Sequence, residues 1–459
     1  MGRKCDILYI HAGQNPLDQE SKCYGYVPMG LIGILNAVRS KGYEVIGINC
    51  CIEKELNPDY SVEAAMEEID YKILLTDLHW YVHSYGAMEI ARLSKKLHPD
   101  IPVVIGGYST TVFADEIMEN FPCVDYAVTG DSDLPVERLV DYLLLGSGTP
   151  ETVPNLVYRK ENQILRSGET WVQTDLDGID FITADYFDHA ERLPYITSGG
   201  VKRPTTERWI CIARGCKFNC AYCCGANENM PTLFNRCNVL LRSPEKVAED
   251  FERLEQMGIC HVSVSHDLQM FGKEYYKAVF AKIREKGIRP GLYLECFQLP
   301  TREYIDEIIA TFDRRRTLLA ISPISGNEQL RKENGKHFSN EQLRETVVYL
   351  QAQKIPVQLY YTINPVGETE AQFYDTYSQI LYFRLEHGLK KNQLFYQRIV
   401  LDPLAPMRKL EGFQSHFNSF LDYYHHYREA KRDDDITGFR DGGEFSIGEK
   451  KKMYQSIFR

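Results

Sequence analysis

Three cysteines follow a strand-like apolar run near the middle of the chain and are separated by three and then two residues, as Cys216, Cys220 and Cys223. Thiolates are soft ligands, and they suit iron in iron–sulfur clusters or zinc. Three thiolates so close together can hold three corners of a cubane cluster and leave its fourth iron open to bind a substrate. We therefore predict a 4Fe-4S cluster at this loop.

A structural zinc ion is the alternative use of these thiolates. Zinc in such sites takes four ligands, usually from a second closely spaced pair, and no matching Cys-x2-Cys or His-x3-His pair follows. Cys211, Cys224 or Cys237 can still complete a zinc site, although we interpret Cys224 as a packing residue. The thirteen cysteines are an odd number and too sparse for a disulfide scaffold, which favours a reducing, cytoplasmic location.

The elements around the cysteines alternate between strand and helix patterns over residues 201–405. Apolar runs predict strands, and three- and four-residue apolar spacing predicts helices. The strands are expected at 209–213, 259–265, 292–297, 318–322, 357–363 and 394–400, and the helices at 244–256, 275–285, 303–311, 340–353 and 370–385. Six such units predict a partial (β/α)6 barrel with its chemistry at the carboxyl ends of the strands.

The N-terminal third, residues 1–150, shows five strand–helix units in series. Strands are expected at 7–11, 44–48, 72–76, 102–105 and 126–129, with helices at 30–40, 62–69, 87–97, 113–120 and 135–144. This order predicts a doubly wound, Rossmann-like parallel sheet, which binds ligands at the carboxyl ends of its strands. Small and polar residues follow the fourth and fifth strands there, namely Gly106, Gly107, Tyr108, Ser109, Thr110, Gly130 and Asp131. A plain tight turn is the alternative interpretation of the paired glycines.

These features resemble two known families. The cysteine spacing after a first strand, with Tyr222 as the aromatic residue before the third cysteine, resembles the radical S-adenosylmethionine (radical SAM) superfamily. The element order of residues 1–150, with Gly106 and Gly107 ahead of the helix at 113–120, resembles the cobalamin-binding domain that precedes many radical enzymes. The resemblance implies three cofactors: a 4Fe-4S cluster, S-adenosylmethionine (SAM) and cobalamin.

The radical SAM resemblance assigns roles to particular residues of the barrel. It implies that Tyr222 contacts adenine, and that Glu295, Ser322 and Gly367 lie at the SAM site. Glu295 at a strand end can instead be a structural carboxylate. The family glutamate of the Gly-Ile-Glu-Ser-Gly segment aligns with Ile324, so that this carboxylate contact is lost or supplied elsewhere.

The cobalamin resemblance assigns the loops of the first sheet. It implies cobalamin contacts from His79, Gly106, Gly107, Tyr108, Ser109, Thr110, Gly130 and Asp131. The Asp-x-His-x-x-Gly motif, whose histidine ligates cobalt in many cobalamin proteins, is absent after the first strand, where the chain runs from His11 to Asn15. His79 follows the third strand instead, and it and His83 can equally be cap or packing residues.

The remaining composition restricts the partners. The chain has 459 residues and a net charge of −11, with 64 acidic against 53 basic residues, which argues against dedicated nucleic-acid binding. We expect no membrane span, because no apolar run approaches the ~18 residues that a bilayer requires. We also expect no export signal, because Met1 to Asp6 lead directly into the first strand with no apolar signal region. Residues 151–200 are expected to be a connector, and residues 406–459 a helical tail that becomes charged through Asp435.

Joined together, the two resemblances imply a cobalamin-dependent radical SAM methyltransferase. It would methylate an unactivated carbon or phosphorus centre of a small molecule and take electrons from a flavodoxin or ferredoxin. The alternatives are a radical rearrangement or cyclisation with or without cobalamin, methylthiolation of RNA, and a non-catalytic iron–sulfur carrier or sensor. No side chain is assigned here as a catalytic acid or base.

Overall fold

A computed structural model of the chain describes residues 2–17, 25–195, 205–410, 413–429 and 445–458. The chain divides into two compact units. Unit 1 comprises 1–204, 230–238 and 417–436, and unit 2 comprises 205–229, 239–416 and 437–459. Each unit is built around its own parallel sheet.

The strands and helices are numbered in chain order. The strands are β1 (Arg3–Lys4), β2 (Ile7–His11), β3 (Val45–Asn49), β4 (Ile69–Asp70), β5 (Ile73–Asp77), β6 (Val103–Gly106), β7 (Tyr126–Val128), β8 (Leu156–Lys160), β9 (Gln163–Arg166), β10 (Glu207–Ile210), β11 (Ala213–Arg214), β12 (Leu240–Leu241), β13 (His261–Val264), β14 (Leu292–Cys296), β15 (Thr317–Ile324), β16 (Val357–Thr362) and β17 (Leu394–Gln397). The helices are α1 (Met29–Ser40), α2 (Cys50–Leu56), α3 (Val62–Glu68), α4 (Ser84–Leu97), α5 (Tyr108–Asn120), α6 (Asp133–Leu145), α7 (Met230–Phe234), α8 (Pro244–Gln256), α9 (Lys273–Glu285), α10 (Arg302–Thr311), α11 (Glu328–Glu333), α12 (Asn340–Ala352), α13 (Glu370–Leu385), α14 (Phe420–Glu429) and α15 (Ile447–Ser456).

The main sheet of unit 1 has the strand order β3-β2-β5-β6-β7-β8-β9. Its first five strands are parallel, and β8 and β9 are antiparallel additions at one edge. The chain winds outward in opposite directions from β2 and β5, so the strand order reverses between their carboxyl ends. The doubly wound sheet predicted from the sequence is therefore confirmed.

Strand β2 shows why this sheet is buried on both faces. Leu8 and Ile10 belong to one apolar core, and Ile7 and Tyr9 belong to another. Because successive side chains of a strand point to opposite faces, a continuous apolar run must be covered from both sides. Helices α3, α4 and α5 contribute to the first core, and α1 and α6 contribute to the second.

Two segments of unit 1 differ from the sequence-based expectation. Where a connector was expected over 151–200, β8 and β9 extend the sheet, with Val157 and Leu156 buried in its two cores. The helix of the expected tail, α14, packs into the first core through Phe420 and Tyr424. The charged stretch that follows it, through Asp435, lies mostly outside the described residues.

Unit 2 contains a six-stranded parallel sheet in the order β10-β13-β14-β15-β16-β17. Each main strand pairs with the next main strand along the chain, and at least one helix lies in every connection. This is the partial (β/α)6 barrel expected from the sequence. Within the described residues, no helix has both the length and the apolar character needed to cross a bilayer.

Candidate active site

The three cysteines lie on the loop that follows β10 and β11, at the carboxyl end of the first barrel strand. All three side chains are half-buried. The backbone N–H of Phe218 donates to the Sγ of Cys216 at 3.4 Å, and the N–H of Cys223 donates to the carbonyl of Cys220 at 3.1 Å. A loop of half-buried thiols with an N–H···S bond fits an iron–sulfur cluster, whose properties depend on such hydrogen bonds.

The thiols of this loop are weak acids while they remain free. Burial is the main cause that raises the pKa of Cys216, and burial followed by the Asp402 carboxylate raises the pKa of Cys223 to about 12. Metal ligation requires the thiolate, so cluster assembly must displace these protons. The raised pKa values of Cys216 and Cys223 argue against a free, reactive thiolate at either position.

A glycine packs directly against the cysteine loop. Gly335 has φ +86°, and a Cβ atom built there would lie 3.2 Å from the Cα of Cys220. Its carbonyl accepts a 2.8 Å hydrogen bond from Gln298 Nε2, and the neighbouring Lys336 donates to the carbonyl of Phe297 at 2.8 Å. The segment that follows β15 thus packs against the cysteine loop through the backbone of Gly335 rather than through a side chain.

Two residues of the expected SAM site lie beside the cysteines. Burial first, and then the Cys220 and Cys223 thiols and the Glu295 carboxylate, raise the pKa of Tyr222 well above its ordinary value. Glu295 stands exposed near the end of β14 and accepts a 3.3 Å hydrogen bond from Tyr293. The Glu295 carboxylate is therefore close enough to Tyr222 to affect the pKa of its hydroxyl.

The strand that carries Ser322 is distorted near its end. Its pairing with β16 shifts register between Ile321 and Ile324, and Ile324 adopts φ +66°. Positive φ is unusual for a β-branched residue, and bulges of this kind redirect side chains next to functional sites. Ser322 is half-buried inside this irregular stretch, at the position where the sequence resemblance locates part of the SAM site.

The turn that contains Gly367 closes β16 and begins α13. Gly367 has φ +72°, and a Cβ built there would meet nothing within 4 Å, so the turn needs glycine for its backbone conformation alone. The next residue, Glu368, forms a buried ion pair with Lys450 of α15 at 2.6 Å. This link from the C-terminal helix was not foreseen from the sequence, because nothing local in either segment signals it.

His266 and Asp267 follow β13, and His266 is half-buried whereas Asp267 is buried. Burial lowers the pKa of His266 to about 4, and its hydrogen bond to the Gly215 backbone opposes that shift. Burial likewise raises the pKa of Asp267 to about 6, against hydrogen bonds from the N–H groups of Gln269 and Phe297 at 3.0 and 3.1 Å. The fold thus positions these two side chains near the cysteine loop.

In unit 1, the loop after β6 crosses over the end of β5. Gly107 has φ +117°, and a Cβ built there would lie 2.6 Å from the backbone nitrogen of His79. The N–H of Ser109 donates to the carbonyl of Leu78 at 3.1 Å. Only glycine permits this close approach, so the expected cobalamin residues Gly106, Gly107, Ser109 and His79 do lie together.

The same loop region contains further polar groups. The buried hydroxyl of Thr110 has no hydrogen-bond partner among the described residues, which fits a loop prepared for a polar ligand atom. Gly130 is joined to the same loop, because its N–H donates to Thr111 Oγ1 at 2.9 Å. Burial lowers the pKa of His79 to about 4, which keeps its imidazole neutral at physiological pH.

Two further residues of the predicted cobalamin loops contact other parts of the chain. Asp131 forms a buried ion pair with Arg236 and accepts a 2.9 Å hydrogen bond from the N–H of Gln173. The ring of Tyr108 lies 5.0 Å from that of Phe234 and 6.1 Å from that of His79. The segment 230–238, which unit 1 receives from a distant part of the sequence, thus packs on the predicted cobalamin loops.

The regions that contain the two parallel sheets each match a known family. Residues 24–140 match the family described as B12 binding domain, and residues 210–380 match the radical SAM superfamily. The chain therefore contains a B12-binding domain and a radical SAM domain. Its cofactors are accordingly cobalamin, a 4Fe-4S cluster and SAM, and the three-thiol loop and the glycine-lined loops described above fit the groups that these domains bind.

Two curated proteins resemble this chain at low sequence identity. An uncharacterized methyltransferase of Pyrococcus horikoshii is 24% identical over 210 residues, 44% of this chain and 41% of that protein. The ribosomal protein uS12 methylthiotransferase RimO of Protochlamydia amoebophila is 22% identical over 349 residues, 72% of this chain and 63% of that protein. The chain therefore spans less than two thirds of the length of either curated relative.

Solved structures share the fold over the whole chain. The radical SAM methyltransferase TsrM from Kitasatospora setae, solved with cobalamin and a [4Fe-4S] cluster, matches 100% of this chain and 91% of its own with a TM-score of 0.69 at 15% identity. The cobalamin-dependent radical SAM enzyme OxsB, with aqua-cobalamin, matches 93% of this chain and 55% of its own with a TM-score of 0.54 at 11% identity. At these identities the likeness establishes the fold.

Proposed function

We propose that this radical SAM enzyme methylates an unactivated carbon or phosphorus centre of a small-molecule substrate. The observation that carries the proposal is the presence, in one chain, of a three-thiol loop at a barrel edge and a doubly wound sheet with ligand-binding glycine loops. When bound, the cluster supplies an electron for SAM cleavage and cobalamin supplies the methyl group. The likeness to TsrM along the whole chain supports this combination.

Named residues of the barrel bind and orient the first cofactors. In this proposal Cys216, Cys220 and Cys223 hold the cluster, and Gly335 keeps their loop in place through backbone packing. Tyr222 and Glu295 lie beside the loop and bind the nucleoside part of SAM, while Ser322 and Gly367 complete its site. The exposed carboxylate of Glu295 is suited to accept hydrogen bonds from ribose hydroxyls.

Residues of unit 1 hold cobalamin in the same proposal. Gly106, Gly107 and Gly130 let the ligand approach the backbone, and Ser109 and the buried hydroxyl of Thr110 provide polar contacts. His79 and Tyr108 contribute ring contacts next to these loops. Asp131 has a positioning role, because its carboxylate is paired with Arg236 and holds the loop instead of contacting a ligand.

The test is anaerobic reconstitution of the purified protein with iron, sulfide and hydroxocobalamin, followed by metal counts and product analysis. We expect about four irons and one cobalt per chain. Reduction with dithionite or reduced flavodoxin, in the presence of SAM, should release 5′-deoxyadenosine. The matched variant with Ala at the three cysteines should lose the iron and the product while keeping the cobalt.

The possible results of this experiment distinguish methyl transfer from the alternative functions. Iron with cobalt, and S-adenosylhomocysteine formed along with 5′-deoxyadenosine when a substrate is present, supports methyl transfer. Iron and 5′-deoxyadenosine without cobalt would overturn methylation and favour a cobalamin-independent rearrangement or cyclisation. Reduced protein that holds the cluster but leaves SAM intact would support an electron carrier or sensor instead.

A further inference from the structure

Three buried side chains meet inside unit 1 at the carboxyl ends of β2 and β5. His11 is the last residue of β2, Asp77 is the last residue of β5, and His83 ends the short helical turn before α4. Strands β2 and β5 are neighbours, with Ile10 paired to Thr76, so His11 and Asp77 lie side by side. This is the point where the strand order reverses, the usual ligand position in such sheets.

The polar atoms of the three residues converge. His11 Nδ1 lies 2.8 Å from Asp77 Oδ1, and His83 Nδ1 lies 3.9 Å from Asp77 Oδ2. One potential ligand atom from each residue lies within 4.8 Å of the other two. The side chains are 0–4% exposed, so the cluster is closed to bulk water.

The separation between Asp77 and His83 is informative. Oδ2 of Asp77 is buried and accepts no hydrogen bond from any described residue, and 3.9 Å is too long for one from His83. Zinc binds imidazole nitrogen and carboxylate oxygen at roughly 2.0–2.2 Å, so two ligand atoms on one ion lie about 3.3 Å apart at the tetrahedral angle and farther at wider angles. The gap therefore has the span of a metal bridge.

Neighbouring side chains hold the Asp77 carboxylate in place, as the groups around the ligands do in metal sites. The hydroxyl of Tyr9 donates to Asp77 Oδ1 at 2.6 Å, which fixes the carboxylate and leaves Oδ2 on the side of His83. The His11 and His83 rings meet edge to face, with centroids 4.8 Å apart. Partners of this kind orient metal ligands and are part of such sites.

We propose that His11, Asp77 and His83 bind one divalent cation of the zinc class within unit 1, separate from the iron site at the cysteines. The ion ties the ends of β2 and β5 to the beginning of α4. Asp77 pairs with Gly106 across the sheet, so the ion also stabilises the strand end that leads into the Gly107 loop. The proposal depends only on the geometry of unit 1 and stands whether or not the chain methylates a substrate.

The experiment uses the full chain in the background of Ala at Cys216, Cys220 and Cys223, which removes thiols that would compete for zinc. The protein is stripped with a chelator, dialysed against zinc chloride alone, and analysed for metal. We expect about one zinc per chain, and less than a tenth of that in the His83→Gln and Asp77→Asn variants. His98→Gln, which changes a histidine elsewhere in unit 1, is the matched control and should retain the ion.

A second measurement guards against loss of folding in the variants. Zinc should raise the melting temperature of the background protein by a few degrees and leave that of His83→Gln unchanged, since a ligand stabilises only a protein that binds it. Cobalt(II) chloride in place of zinc should give visible d–d bands that His83→Gln lacks. No bound zinc in the background protein, or equal zinc in His83→Gln, would overturn the proposal.

Discussion

The buried ion pair between the C-terminal helix and the barrel gives a prediction that the structure allows us to work out in numbers. Lys450 Nζ lies 2.6 Å from Glu368 Oε2 and 3.1 Å from the carbonyl of Ile363, and both charged side chains are 1% exposed. Removing one partner of a buried pair leaves an uncompensated charge and costs about 3–5 kcal/mol. Lys450→Met should therefore destabilise the contact by that amount.

We expect the loss of the ion pair to destabilise the docking of α15 before it destabilises the barrel sheet. Lys450 is the buried residue of α15, which otherwise docks through Tyr454, whose ring lies 5.6 Å from that of Tyr396. Terminal elements with few buried contacts open locally, at less than the free energy of global unfolding. Undocking of α15 lets water reach Glu368, so we expect release of the helix and not unfolding of the sheet.

Hydrogen exchange followed by mass spectrometry measures this opening. A loss of about 3 kcal/mol corresponds to a roughly 100-fold rise in the open population, so exchange in α15 and in the turn around Gly367 should speed by at least that factor. Lys452→Met, the same change at an exposed lysine of the same helix, is the matched control. Since Gly367 belongs to the proposed SAM site, SAM binding should weaken along with the exchange protection.

A double variant tests whether the buried charge is the cause. Lys450→Met combined with Glu368→Gln removes both charges and should recover most of the lost protection, because replacing a whole buried pair is often close to neutral. The reasoning is refuted if Lys450→Met exchanges like Lys452→Met. It is also refuted if the double variant is as open as the single one.

Three further perturbations test other parts of the structure. Gly335→Ala, at φ +86° with its Cβ 3.2 Å from the Cα of Cys220, should lower the iron content after reconstitution. Gly107→Ala, at φ +117° with its Cβ 2.6 Å from the nitrogen of His79, should cost about 1–3 kcal/mol or more in urea unfolding and reduce cobalamin uptake. For Asp267, whose folded pKa is raised from 3.8 to about 6 mainly by burial, the protonated form adds stability that is fully present below pH 3.8 and lost as pH rises to about 6. The loss amounts to about 3 kcal/mol, and the Asp267→Asn variant should lack this pH-dependent component in urea unfolding.

Two glycines provide controls for the glycine predictions. Gly42 in unit 1 and Gly287 in unit 2 have φ +95° and +68°, and a Cβ at either would meet nothing within 4 Å. Their alanine variants carry the backbone strain without the close contact. If Gly287→Ala lowered the iron content as much as Gly335→Ala, or Gly42→Ala lowered cobalamin uptake as much as Gly107→Ala, the contact arguments would be wrong.

The sheets were predictable because their signals are local. The run Ile7–His11 is buried throughout, and the spacing of the cysteines specifies a ligand set without knowledge of the rest of the chain. The joining of α14 to the first core was not predictable, since Phe420 meets Phe121 across about 300 residues of sequence. An amphipathic pattern shows that a helix has an apolar face, but it does not show which core will cover that face.

The same limit applies to the candidate site. The sequence alone indicates His11 only as a residue that stands where a cobalt-binding motif is absent, and His83 only as a cap or packing residue. The pairing of β2 with β5 brings His11 beside Asp77, 66 residues away in the sequence. Periodicity gives the end of each strand, whereas the order of strands in the sheet decides which ends meet.

Buried carboxylates in this chain are balanced in different ways, and Asp77 can be compared with three of them. Asp131 is paired with Arg236, Glu368 with Lys450, and Asp267 resists ionisation with a pKa raised to about 6. The ion pairs of Asp77 among the described residues involve imidazoles alone, which carry charge only when protonated. A buried carboxylate needs a compensating positive charge, and two imidazoles supply it either by taking up a proton or by joining the carboxylate on a metal ion. Metal analysis distinguishes these two cases, because only the second leaves zinc bound to the protein after dialysis.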